Sequence, residues 1–173
     1  DDDYIIDYID NILKLAPIQL TTNCHDVLFK NIYEIFNNSA DHSRAQFGVF
    51  SCGHWMPTKK QLVFSVYDTG IGIPALVKEK IDSSLSSADA LEWALVRGHS
   101  TKQLTNGIPR GLGFSDLFDF IKFNHGALNI MTNDLYYQYS GSKTIQPINH
   151  PIIGTLISIT IIADYDHIYI LKK

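Results

Sequence analysis

The sequence has few cysteines, no excess of basic residues and no long apolar run, and each shortage excludes a class of protein. Cys24 and Cys52 are the only cysteines among 173 residues, too few for a disulfide scaffold or a four-thiolate zinc site. We interpret them as reduced thiols of a cytoplasmic protein. A net charge of −4 argues against a domain-wide nucleic-acid surface. No apolar run approaches the roughly 20 residues of a membrane span.

The composition indicates one folded domain. Apolar residues make up 45% and charged residues 18% of the chain, which excludes a disordered tail. Neither an internal repeat nor a linker rich in Pro and Gly divides it. The chain opens with three aspartates, without Met and without the basic start of a signal peptide. We therefore expect a single domain, residues 1–173, that is a fragment of a longer protein.

Apolar periodicity predicts interleaved helices and strands. The predicted helices are residues 4–15, 25–40, 75–81, 89–97 and 113–124. The predicted strands are residues 45–51, 61–67, 127–132, 156–162 and 167–171, with 136–139 as one more. Residues 53–60 are predicted as a hairpin loop, and 139–151 as a turn-rich excursion between strands. Because the last strands follow one another without helices, the pattern favours an α+β two-layer sandwich. Its sheet is predicted to be mixed but mainly antiparallel, with the helices on one face.

The first candidate site is a helical carboxylate–amide pair. Glu34 and Asn38 are four residues apart, so they project from the same helix face. An amide oxygen suits Mg²⁺, which prefers oxygen ligands, and a carboxylate can accept a proton from an attacking water or hydroxyl. By itself the pair is more typical of a solvated helix face.

The second candidate site is the segment Asp68-Thr69-Gly70-Ile71-Gly72-Ile73-Pro74, which follows an apolar strand directly. Gly70 and Gly72 allow the backbone to come close to a flat or charged ligand, so both are candidate ligand-binding residues. Asp68, at the strand end, can accept hydrogen bonds from an exocyclic amine such as that of adenine. The alternative is a tight strand-to-helix turn in which Pro74 starts the next helix.

Two further glycine motifs are weaker when each is taken alone. Gly111 and Gly113 open a predicted helix, whose N-terminal amides favour phosphate oxygens, although an ordinary turn explains them equally well. Gly154-Thr155 precedes an apolar strand and suits close approach to a ligand, although, taken singly, the pattern is more typical of an edge-strand glycine.

The order and separation of the four motifs resemble those of the GHKL ATP-binding superfamily. That group includes gyrase B, the large heat-shock chaperones, sensor histidine kinases and MutL proteins. The resemblance covers residues 27–160, and it implies a Bergerat fold with ATP held between the helices and the sheet. It also implies that Asn38 binds Mg²⁺ and that Asp68 holds the adenine amino group, partly through water. Gly72 would then lie beside the base, and Thr155 would support the contact of Asp68.

The resemblance also implies a mobile ATP lid over residues 99–110 and a phosphate-binding segment after it. Two lid cations, Lys102 and Arg110, are also explained as solvated loop charges. The candidate phosphate-binding residues are Lys102, Arg110, Gly111, Leu112 and Gly113.

Glu34 bears on the subfamily, because sensor histidine kinases often lack an acidic residue on this helix. In the hydrolytic members and in the anti-sigma serine kinases, a glutamate stands here as the general base, and the segment Glu34 to Asp41 is similar to that of MutL proteins. We therefore expect Mg²⁺-dependent ATP binding with slow hydrolysis, since family ATPases commonly obtain a lysine from a following domain. We also expect a protein partner or further domains, and an ATP-dependent homodimer. The alternative is a protein kinase module, of the histidine-kinase or anti-sigma serine-kinase type, that transfers the γ-phosphate to a partner protein.

Overall fold

The computed structural model of the protein describes residues 2–42, 47–96 and 113–171. Its helices and strands follow in the order α1 (Asp2–Lys14), α2 (Thr22–His42), β1 (Val49–Met56), β2 (Gln61–Asp68), α3 (Ile73–Lys80), α4 (Ser87–Leu95), α5 (Gly113–Phe123), β3 (Ala127–Thr132), β4 (Leu135–Tyr139), β5 (Lys143–Pro147) and β6 (Thr155–Ile162). A short 3₁₀ helix, Pro57–Lys59, connects β1 to β2. None of the helices in these ranges is both long and apolar enough to cross a membrane.

The strands form one six-stranded sheet in the order β1-β2-β6-β3-β4-β5. Every pair of neighbouring strands in the described ranges is antiparallel. The predicted α+β two-layer sandwich is thus confirmed. The parallel component allowed by the predicted mixed sheet is not found in this part of the chain.

The core lies between one face of the sheet and the helices. Burial alternates along β2, so that Leu62, Phe64 and Val66 are buried while their neighbours are partly exposed. Ile32 and Ile35 of α2 belong to the same buried cluster. The apolar side chains that alternate along β2 and those that follow the helical spacing of α2 therefore pack together in one layer.

The first hairpin differs from its prediction. β1 begins at Val49 and runs to Met56, so Gly53, which was predicted to lie in the loop, is inside the strand. A Cβ atom at Gly53 would lie 2.7 Å from Cδ1 of Ile12, so the glycine lets α1 pack directly on β1. The turn is formed instead by Pro57–Lys59 and by Lys60, which has a φ of 51°.

The predicted last strand, residues 167–171, is wrong. These residues lie outside the sheet because the side chain of Asn124 takes the place of a neighbouring strand. Its Nδ2 donates to the carbonyl of Ile170 at 2.9 Å, and its Oδ1 accepts from the Ile170 N–H at 2.7 Å. Tyr169 is buried beside Phe120. The predicted excursion over residues 139–151 in fact contains the exposed strand β5.

Candidate functional site

Three buried polar residues lie side by side at one end of the sheet, and we call them the polar row: Asp68, Thr155 and Thr132. Asp68 ends β2, Thr155 begins β6 and Thr132 ends β3, and the strand register pairs Asp68 with Thr155 and Thr155 with Thr132. Their exposed fractions are 5%, 4% and 0%. The two threonine hydroxyls are hydrogen-bonded at 3.1 Å. Because burying polar groups is costly unless they are paired, the strand order explains how the two threonines satisfy each other, whereas Asp68 also needs donors from outside the sheet.

Asp68 accepts hydrogen bonds from three different segments. Its Oδ1 accepts the Gly70 N–H at 2.9 Å, and the carboxylate also accepts from the Thr155 N–H and the Ser39 hydroxyl. Burial raises the pKa of Asp68 above its ordinary value, because desolvation of the carboxylate outweighs these three bonds. A carboxylate offers about four acceptor positions. Among the described residues, these three donors occupy three of the positions, which leaves one for a further N–H.

Ser39 joins the end of α2 to Asp68. It is 4% exposed, and it follows Asn38 directly, with Glu34 one turn earlier on the half-buried side of the helix. The structure thus brings the predicted carboxylate–amide pair and the predicted glycine segment into one neighbourhood.

Contacts inside the protein account for two of the predicted ligand-binding glycines. Gly154 has a φ of 83°, and a Cβ there would lie 2.0 Å from the carbonyl oxygen of Asp68. Gly72 has a φ of 85°, and its Cβ would lie 2.2 Å from Oδ1 of Asn133. Both glycines are therefore needed for backbone conformation and close packing, and their contact with a ligand stays a prediction.

The predicted phosphate-binding end is described only in part. Lys102, Arg110, Gly111 and Leu112, like the predicted lid over 99–110, lie outside the described residues. Gly113 is the first residue of α5, as predicted, and α5 packs against α2. A glycine at this helix start is compatible with a phosphate near the helix N-terminus.

A predicted magnesium site depends on Asn38. Within the described ranges, no group of three or more His, Cys, Asp and Glu side chains could hold a metal ion. Mg²⁺ in nucleotide sites commonly has few protein ligands and takes the rest from phosphates and water. The amide of Asn38 and the carboxylate of Glu34, one turn apart, are oxygen donors of the type that this ion accepts.

The sequence reasoning missed three residues of the site: Ser39, Thr132 and Asn133. Ser39 continues the buried face of α2 that contains Ile32 and Ile35, so its helical spacing could have indicated an inward hydroxyl. No local pattern indicates that Thr132 and Asn133 contact residues near Gly72, because that contact joins distant segments.

Comparison of the sequence with models of protein families gave no match, and a search of curated proteins gave none either. The functional interpretation therefore depends on the four motifs and on the geometry that joins them.

Proposed function

We propose that this chain binds Mg²⁺–ATP at the polar row and the end of α2, as a GHKL-type domain with a Bergerat fold, and hydrolyses it slowly. The observation that carries the proposal is the hydrogen bond from Ser39 to Asp68. It joins the helix that bears Glu34 and Asn38 to the acid that the motif order assigns to adenine. Three of the four motifs thereby meet through an acid, a helix end and the start of β6.

The adenine site is proposed at Asp68. Its carboxylate is buried and has a raised pKa because of desolvation. One more N–H donor, such as the exocyclic amino group of adenine, would offset part of that burial cost. A base with a carbonyl oxygen at this position, as in guanine, would place an acceptor against the carboxylate. The site therefore favours ATP over GTP.

The triphosphate is proposed to lie between α2 and the start of α5. Asn38 would hold Mg²⁺, which supplies charge neutralisation to the phosphates when it is bound. Glu34 would orient a water and accept its proton. Gly113, with the predicted residues Lys102, Arg110, Gly111 and Leu112, would bind the phosphate oxygens.

Calorimetric titration with ATP tests the adenine site. Asp68→Asn should weaken ATP binding by about tenfold or more, because a hydrogen bond to a charged group contributes about 1.5–3 kcal/mol. Asp166→Asn is the matched control, since Asp166 is exposed and follows β6 at the opposite end of the sheet. Unchanged affinity in Asp68→Asn, with the fold retained, would contradict the proposed site.

Turnover assays test the role of Glu34. Loss of a general base typically costs about 10²–10⁴-fold in rate, so Glu34→Gln should lose hydrolysis but retain ATP binding. Glu92→Gln is the control, since Glu92 has an exposed side chain on α4. Hydrolysis that persists in Glu34→Gln would contradict the assignment.

The alternative activity, a protein kinase module, is distinguished by the fate of the γ-phosphate. With γ-labelled ATP and candidate partner proteins, hydrolysis releases labelled inorganic phosphate, whereas a kinase leaves the label on a partner. Light scattering with and without ATP tests the proposed ATP-dependent homodimer in the same samples.

A further inference from the structure

Two consecutive residues after β3 hold the turn that follows Asp68. Thr132 Oγ1 accepts the N–H of Ile73 at 3.0 Å, and Asn133 Nδ2 donates to the carbonyl of Ile71 at 2.9 Å. The residue between these two contacts is Gly72. Residues 70–73, which we call the glycine turn, are thus fixed on both sides of Gly72 by side chains from the β3–β4 connection.

Asn133 also contacts the segment that leads into β6. Its carbonyl accepts the N–H of Ile152 at 2.9 Å, two residues before Gly154, whose backbone packs against Asp68. Asn133 therefore touches both chain segments that flank the Asp68 carboxylate. Its own φ is 51°, a left-handed conformation that Asn tolerates better than most residues.

The Asn133 amide is held in a costly environment. Oδ1 is buried and has no hydrogen-bond partner in the described part of the chain, and it lies where a Cβ of Gly72 would be. An unsatisfied buried acceptor is unfavourable, and such a group calls for an explanation. The hydrogen bond from Nδ2 to the Ile71 carbonyl explains why the amide is held there, because this bond fixes the glycine turn. Gly72 leaves space for the amide.

We propose that Asn133 is a positioning residue for base recognition: it sets the glycine turn against Asp68 and thereby the affinity for adenine. This inference rests on the proposed function. Asn133 acts through the turn and through Ile71, whereas the proposed phosphate end lies at α2 and α5. Its loss should therefore weaken recognition of the base and leave recognition of the phosphates unchanged.

The test uses two variants that retain the left-handed backbone. Asn133→Gly removes the amide, and Asn133→Asp keeps the shape of the side chain but removes the Nδ2 donor. Asn149→Gly, in an exposed loop, is the control. Calorimetry measures binding of Mg²⁺–ATP and of inorganic tripolyphosphate with Mg²⁺, and NMR measures hydrogen exchange of the Ile73 amide without ligand.

We expect both Asn133 variants to bind ATP about five- to tenfold more weakly, the effect of one lost hydrogen bond. Tripolyphosphate affinity should stay within about twofold, and the Ile73 amide should exchange faster by a similar factor of about five to ten. The Asn149→Gly control should match the wild-type protein in all three measurements.

Three results would overturn the inference: wild-type ATP affinity in both variants, an equal loss of ATP and tripolyphosphate affinity, or unchanged Ile73 exchange. If Asn133→Gly fails to fold, Asn133→Asp decides. If the wild-type protein itself does not bind ATP, the proposed function is contradicted instead. The exchange of the Ile73 amide then still tests whether Asn133 holds the glycine turn.

Discussion

Substitution of Gly154 by alanine should destabilise the protein more than its backbone conformation alone requires. A left-handed conformation costs a non-glycine residue about 1–2 kcal/mol. At Gly154 the new Cβ would also lie 2.0 Å from the carbonyl oxygen of Asp68 and 2.8 Å from the backbone nitrogen of Gly70. These are backbone atoms, so no side-chain rotation relieves the overlap, and overpacking costs a further 1–3 kcal/mol or so.

Gly141 is a matched control for this substitution. Its φ is 80°, close to the 83° of Gly154, but a Cβ there would meet nothing within 4 Å. We therefore expect Gly141→Ala to lose about 1–2 kcal/mol of unfolding free energy, and Gly154→Ala to lose about 2–5 kcal/mol. The difference between the two variants isolates the contact with Asp68.

Urea unfolding followed by circular dichroism measures both losses by linear extrapolation. The midpoint of Gly154→Ala should lie clearly below that of Gly141→Ala, with similar slopes. Equal losses in the two variants, within about 0.5 kcal/mol, would refute the reasoning, because they would mean that the segment before β6 does not press on Asp68 as the structure describes.

Three further predictions concern buried polar groups. Burial raises the pKa of Asp68 in the folded state, so the folded protein binds a proton there more readily than the unfolded chain does. The stability of the wild-type protein, relative to Asp68→Asn, should therefore fall as the pH rises from the ordinary aspartate pKa through the raised one. Thr155→Val should cost about 1 kcal/mol through loss of the Thr132 hydrogen bond, whereas Thr144→Val, on exposed β5, should change stability by less than about 0.5 kcal/mol. Asn124→Ala removes three hydrogen bonds and should cost about 2–4 kcal/mol and expose the C-terminal segment to limited proteolysis.

Each of these three predictions has a clear contrary result. A pH-independent stability difference between the wild-type protein and Asp68→Asn in urea titrations would contradict the raised pKa. Equal losses in Thr155→Val and Thr144→Val would show that the polar row contributes no more than an exposed hydroxyl. Protection of the C-terminal segment in Asn124→Ala would show that Asn124 does not hold it.

Local patterns predicted most of the helices and strands. The alternation of residues 62–66 and the helical spacing of α2 each place apolar side chains on one face, and one face is what the sheet and the helix bury. The turn after β2 was also predicted, since Gly70 and Gly72 allow backbone conformations that other residues avoid and Pro74 favours the first turn of a helix.

The failures have a common physical cause, which is contact between segments that are distant in sequence. Gly53 resembles a turn residue, yet it lies in a strand because Ile12 occupies the space beside it. The apolar run at 167–171 has strand character, but the Asn124 side chain pairs with its backbone instead. The same holds for Asn133, whose contact with Ile71 no local pattern indicates.

The polar row depends on the assembly of the sheet. Its three residues come from β2, β6 and β3, which pair only after separate parts of the chain meet. A slip of β6 by one position would replace Thr155 with a neighbour and turn every side chain of that strand to the other face. A molecule that binds at Asp68 would therefore stabilise the correctly registered sheet over one in which β6 has slipped.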